Sequence, residues 1–172
     1  MVIRMADFLP AFEEVVLNEG GYKLTDIKHD RGGQTYAGIS RKFHPHWPGW
    51  SYIDRGQVPP VSLVRAFYKE EFWDRLRCDE IEDEGIAMSL FGFGVNADWR
   101  VSAKLAQVVL GLTPDGVIGP KSIAEINHAD PRWFKLAFSL AKLARYRDIV
   151  TRDRTQGRFL LGWINRLLRE SV

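Results

Sequence analysis

The glycine pair Gly20-Gly21, with the glycine-bearing run Asp30-Arg31-Gly32-Gly33-Gln34-Thr35-Tyr36-Ala37-Gly38-Ile39-Ser40 behind it, constrains this chain more than any other stretch. Phe8, Phe12, Val15 and Val16 recur at the spacing of one face of an amphipathic helix, which predicts a helix over residues 7–19. Asp7 is its expected N-cap, and Pro10 falls in the first turn, where a missing N–H does no harm. Glycine takes the left-handed conformation with which helices end, so Gly20-Gly21 stops the helix and leaves Glu19 as its last residue. The run behind it reads as a tight turn or hairpin near residues 24–40.

The last carbonyls of a helix carry partial negative charge, which makes its C-terminus unfavourable for an ionised carboxylate. Held there and half-buried beside Tyr22, Glu19 is expected to have a pKa raised by desolvation and by the helix dipole. A carboxylic acid still protonated near neutral pH is what a glycosidase uses to protonate a leaving sugar oxygen. Asp30 and Thr35 bring an acid and a hydroxyl together on the glycine-rich turn, and Gly32, Gly33 and Gly38 leave room for a bulky polymer. Two carboxyl groups in different surroundings are the raw material of glycoside hydrolysis. Each also has a plainer reading: Glu19 solvated and idle at a frayed helix end, Asp30 capping its own turn.

Glu19-Gly20-Gly21-Tyr22, then Asp30-x-Gly32-Gly33-x-Thr35, then Gly38-Ile39-Ser40, resembles glycoside hydrolase family 108, the lysozyme-like N-acetylmuramidases of phages and prophages. The resemblance implies that Glu19 is the catalytic acid. By analogy with more distant phage lysozymes it places Asp30 and Thr35 beside it. Tyr22, Tyr36, Trp50 and Asn96 are candidate substrate contacts read from the residues themselves. Gln107-x-x-Leu110-Gly111-x-x-x-Asp115-Gly116-x-Ile118-Gly119-Pro120 and Gly162-Trp163-x-x-Arg166 are similar to the peptidoglycan-binding segment that follows in the same family. The fold so implied is mainly α, a lysozyme-like helical fold with a small hairpin. A catalytic part, residues 1–98, precedes a helical peptidoglycan-binding part, residues 99–172, packed on it.

Three positions depart from the family pattern: Asn18 stands where His is usual, Ala37 where Tyr is usual, and Gly92 where Phe91-Gly92-Phe93-Gly94-Val95-Asn96 would carry an acid. Gly92 supports an alternative, a non-catalytic wall-binding or secretion-activating protein on the same scaffold. A chitinase-like action on a related polymer is a third reading.

Charge and composition narrow the rest. Residues 1–99 hold 11 Lys+Arg and 16 Asp+Glu, a net of −5, and residues 100–172 hold 13 and 6, a net of +7. The basic part calls for an anionic partner, for which peptidoglycan glycan strands fit better than nucleic acid, since no zinc-finger spacing or RNA-binding aromatic motif accompanies it. His29, His44, His46 and His128 lack metal-ligand spacing, Cys78 is alone, and no metal or organic cofactor is implied. Arg4, Asp7, Glu13, Glu14 and Glu19 interrupt any apolar leader, and no window is apolar enough to span a bilayer. The expectation is a monomer made in the cytoplasm without a signal peptide, not inserted in a membrane, and acting on the wall after release by a pore protein or by host lysis.

Along the remaining chain, residues 43–60 read as a proline-rich loop whose Trp47, Trp50 and Tyr52 either stack on sugars or cover the core. Ser62 is expected to cap a helix running to about Arg77 with Leu63, Ala66, Phe67, Phe72 and Trp73 inward. Asp79–Glu84 reads as a solvated acidic run, and residues 84–97 as a buried central helix with Asn96 near its end. Helices over 101–110, from Pro120, over 131–153 and beyond a break at Gly157 complete the reading.

Overall fold

The computed structural model describes residues 5–26 and 33–171, and Asp30 lies outside them. Contacts among the described residues divide the chain into two compact units: Asp7–Arg75, and the chain from Leu76 onward together with Met5 and Ala6.

In the first unit, α1 spans Phe8–Asn18, and the Asp7 carboxylate accepts the Leu9 N–H at 3.0 Å as its cap. Phe8, Ala11, Phe12, Val15 and Val16 form the buried stripe. The helix ends in a Schellman motif: Gly21 N–H donates to Val16 O (2.8 Å), Gly20 N–H donates to Leu17 O (3.2 Å), and both glycines have positive φ. Three short strands follow, β1 Leu24–Asp26, β2 Gln34–Tyr36 and β3 Ile39–Ser40, as an antiparallel sheet in that order. Leu24, Tyr36 and Ile39 pair on one face, and Thr25, Thr35 and Ser40 form a row of hydroxyls on the other.

The proline-rich loop contains one helical turn, α2 Trp50–Ile53, which its composition concealed. The next helix, α3 Val61–Tyr68, is preceded by Pro60, so Ser62 lies inside it rather than at its cap. Lys69–Trp73 then continues as a π-helical turn, closed by Asp74 N–H donating to Lys69 O at 2.8 Å. Trp73 is buried as expected, but along α3 the buried residues are Val64 and Tyr68 in place of the expected Leu63, Ala66 and Phe67. Phe8 meets Trp73 and Phe12 meets Tyr68 edge to face, at 5.4 and 5.8 Å between ring centres.

The second unit begins with a 3₁₀ turn at Cys78–Glu80 and is built round α4, Glu84–Ala97, capped by the Asp83 carboxylate on Ile86 N–H. Its apolar residues face several sides at once: Ile86, Ala87, Leu90, Phe91, Phe93 and Gly94 are all buried. Helices α5 Trp99–Val109, α6 Pro120–His128, α7 Pro131–Arg152 and α8 Gly157–Ser171 complete it. Gly94 lets Trp99 approach, and Phe93 packs edge to face on Phe138 of α7. Buried Lys142 of α7 sits over the rings of Phe93 and Phe138 and donates to the Ser89 hydroxyl at 3.2 Å. The break before α8 is made by Asp153, whose carboxylate accepts from the Thr155 N–H and hydroxyl, and Gly157 is the first residue of α8. Tyr146 and Trp163 stack where α7 meets α8.

Candidate active site

Glu19 is the C-cap residue of α1, half-buried, with its N–H donated to Val15 O at 2.9 Å. The Schellman motif fixes its backbone, so the carboxyl-bearing side chain leaves the helix at a defined angle beside the last carbonyls. The two-residue turn between β2 and β3 packs against that side chain. Ala37 and Gly38 both have positive φ, 48° and 78°, as a type I′ hairpin turn requires. A Cβ at Gly38 would fall on the Tyr68 hydroxyl and lie 3.1 Å from Glu19 Cβ and 3.3 Å from Cγ. Only glycine lets the turn come this close.

Tyr68 completes the arrangement, and sequence periodicity alone did not single it out. Its hydroxyl is buried and donates to Ala37 O at 2.8 Å, tying α3 to the turn that holds Glu19. Burial, then the Glu19 and Tyr22 charges, push the Tyr68 pKa well above the ordinary phenol range, so it stays a neutral donor. Burial and Tyr22 likewise raise the Tyr36 pKa. Tyr22, three residues after Glu19, is 43% exposed and in reach of solvent.

Thr35 is half-buried at the centre of the hydroxyl row, opposite Thr25 and Ser40, on the sheet face away from Tyr36. Tyr36 and Trp50, expected as substrate contacts, lie in the core instead. Tyr36 is 4% exposed because its strand face turns inward with Ile39, and its ring stacks on Trp47. Trp50 is 3% exposed, with its indole N–H donated to His44 O at 2.7 Å. Of the two roles open to the loop tryptophans, covering the core is the one these rings fill. Arg41 secures the loop to the sheet by a bidentate pair with Asp54 (2.7 Å each) and a bond to Gln34.

Residues His44 and His46, with Phe43, Phe67, Glu70 and Glu71, line a cleft of about 500 Å³ on the side of α3 away from Tyr68. Burial pushes the His44 pKa down, against a smaller opposing effect of Glu71, so its imidazole is neutral at neutral pH. Among the described residues no three His, Cys, Asp or Glu side chains gather as a metal site.

In the second unit, Asn96 donates from Nδ2 to Gly92 O one helical turn back, at 2.8 Å, and its side chain is exposed. The segment after α5 is organised by Gln107, which is buried. Its Nε2 donates to the Asp115 carboxylate (2.7 Å) and Val117 O (3.0 Å), while its Oε1 accepts from Gly116 N–H (2.9 Å). The Gln107…Asp115-Gly116 motif thus builds a rigid loop ahead of α6.

Residues 12–97 match the family model described as Glycosyl hydrolase 108. The chain belongs to the glycosyl hydrolase 108 family. Residues 101–168 match a second model, Predicted Peptidoglycan domain. No curated protein matches the chain. Among solved structures, SagA from Brucella abortus is similar at a TM-score of 0.75 and 24% identity, over 95% of this chain and 91% of that one. That likeness carries the fold: mainly α, lysozyme-like, with a small antiparallel sheet. The family 108 match includes Glu19-Gly20-Gly21-Tyr22, Thr35 and all of α4. The peptidoglycan-domain match includes the Gln107 loop and Gly162-Trp163. A glycoside-hydrolase segment joined to a peptidoglycan domain makes this a peptidoglycan-acting, lysozyme-like protein.

Proposed function

We propose that the protein is an N-acetylmuramidase, hydrolysing the β-1,4 bond that follows N-acetylmuramic acid in peptidoglycan, with Glu19 as general acid. One observation carries the reading: Glu19, its backbone fixed by a Schellman cap, lays its side-chain stem against Gly38 in a turn that the Tyr68 hydroxyl backs, on a chain with this family match. A helix terminus and partial burial both disfavour the charged form of a carboxyl group, and a general acid must be in its neutral form to protonate the glycosidic oxygen. Asp30, assisted by Thr35 on the hydroxyl face of the sheet, orients water or stabilises the oxocarbenium-like transition state. Tyr22 and Asn96 are proposed as sugar contacts. The chain's own residues suffice for this route, and the wall is reached after release from the cytoplasm.

Glu19→Gln keeps the size and hydrogen-bonding shape of the side chain but removes the proton donor. Release of reducing ends from purified sacculi should fall about 10²- to 10⁴-fold with an unchanged melting temperature. Equal release by mutant and parent removes Glu19 from the mechanism. Gly92 in place of an acid favours a second reading, a wall-binding protein without catalysis. Such a protein sediments with sacculi yet frees no reducing ends even with Glu19 intact.

A further inference from the structure

Helix α7 is apolar on two opposite sides. Its inward side carries Phe134, Phe138 and Tyr146, buried within the unit. Its outward side carries Trp133, Leu136, Leu140 and Leu143, between 40% and 63% exposed, at the 3-4-3 spacing that keeps them in one line along three turns. A surface helix normally fills that side with polar residues, so four large apolar side chains in register form a patch that needs a partner.

The charge around the patch selects the partner. Residues 131–171 contain ten Lys+Arg and three Asp+Glu, a net of +7, which equals the whole excess of the C-terminal part, since residues 100–130 balance. Exposed Arg132 and Arg147 stand at the two ends of the line, and the one acid of α7, Asp148, is bonded to Arg147. A second copy of the chain would set arginines against arginines, and four side chains fall far short of the roughly 20–30 residues a side that a stable protein interface uses. A leucine line ended by Trp and Arg has the chemistry of a helix lying in the plane of a bilayer surface, with apolar residues among the acyl chains and cations on the headgroups. No described helix is long and apolar enough to cross a membrane, so the contact is peripheral.

From these observations we infer that the outer face of α7 docks the protein on membranes carrying anionic phospholipid. The full chain would then sit at the bilayer surface that borders the wall, independently of which residue cleaves glycan.

Co-sedimentation of the full chain with vesicles tests this. At about 50 mM salt the protein should pellet with phosphatidylethanolamine–phosphatidylglycerol vesicles and stay in the supernatant with phosphatidylcholine vesicles, and 0.5 M salt should release most of it. Leu136→Glu with Leu140→Glu should cut the bound fraction at least tenfold, and Arg132→Glu with Arg147→Glu should do so in protein that retains its melting temperature. Binding of all variants to sacculi should stay as in the parent. Equal pelleting with both lipids, no pelleting, or insensitivity to both double variants overturns the inference. Loss of sacculus binding in the leucine variant overturns it in favour of peptidoglycan at this face. A dimer in analytical ultracentrifugation that the leucine variant dissolves, without vesicle binding, overturns it in favour of a second copy.

Discussion

Gly38 has no room for a methyl group. An added Cβ meets the Tyr68 hydroxyl and the Glu19 stem, and the backbone there is left-handed, which costs an L-residue about 1–2 kcal/mol by itself. Gly38→Ala should lower the melting temperature by several degrees, at about 2–4 °C per kcal/mol for a chain of this size, and should reduce glycan cleavage because Glu19 is displaced with the turn. Tyr68→Phe leaves the buried Ala37 carbonyl without its donor and should cost about 1–3 kcal/mol in urea unfolding. An unchanged midpoint would mean the turn holds Glu19 without help from α3. The place of Glu19 at the helix end was legible in the sequence because two glycines after a periodic apolar stripe admit few structures. Tyr68 was not, because its partner is a backbone carbonyl far along the chain, and backbone acceptors leave no mark in residue identity.

Among the elements, the loop after α5 depends on Gln107 and Asp115. Gln107→Ala removes the bonds donated to Asp115, Val117 and Ser122 and the one accepted from Gly116, in a buried setting, and should destabilise the protein by about 1–3 kcal/mol in denaturant titration. The Val117 N–H and the Gln107 amide hold the Asp115 carboxyl below its ordinary value of 3.8. A depressed folded-state pKa contributes stability that is fully present above the unfolded value and lost as pH falls through the folded one. The hold of this loop should therefore persist to pH 4 and fade below it, seen as a melting-temperature difference between parent and Asp115→Asn that closes in acid. The helices were read well where caps and glycines punctuate them: Asp7, Pro120 and Pro131 each stand where expected. Reading failed where packing outranks local signals. The π turn at Lys69–Trp73 adds a residue that no composition announces, and it brings Tyr68 and Trp73, five apart, onto one face. Strand register turned Tyr36 inward, and the same aromatic surface that suits a sugar also suited Trp50 to the core.

Across the whole molecule, the family boundaries and the compact units do not coincide. The glycosyl hydrolase 108 match runs through α4, yet α4 is packed in the unit that begins at Leu76, against α5 and α7. A fragment ending at residue 98 keeps the entire family match and strips α4 of those neighbours, exposing Phe93 and the surroundings of Gly94. Such a fragment should lack a cooperative melt by circular dichroism, and a fragment with the sharp transition of the full chain would show that α4 needs neither helix. The consequence reaches those who build chimeric lysins by exchanging cassettes. The visible seam between the glycosyl hydrolase 108 segment and the peptidoglycan-domain segment is the wrong place to splice, because the last helix of the first is also the keel of the second.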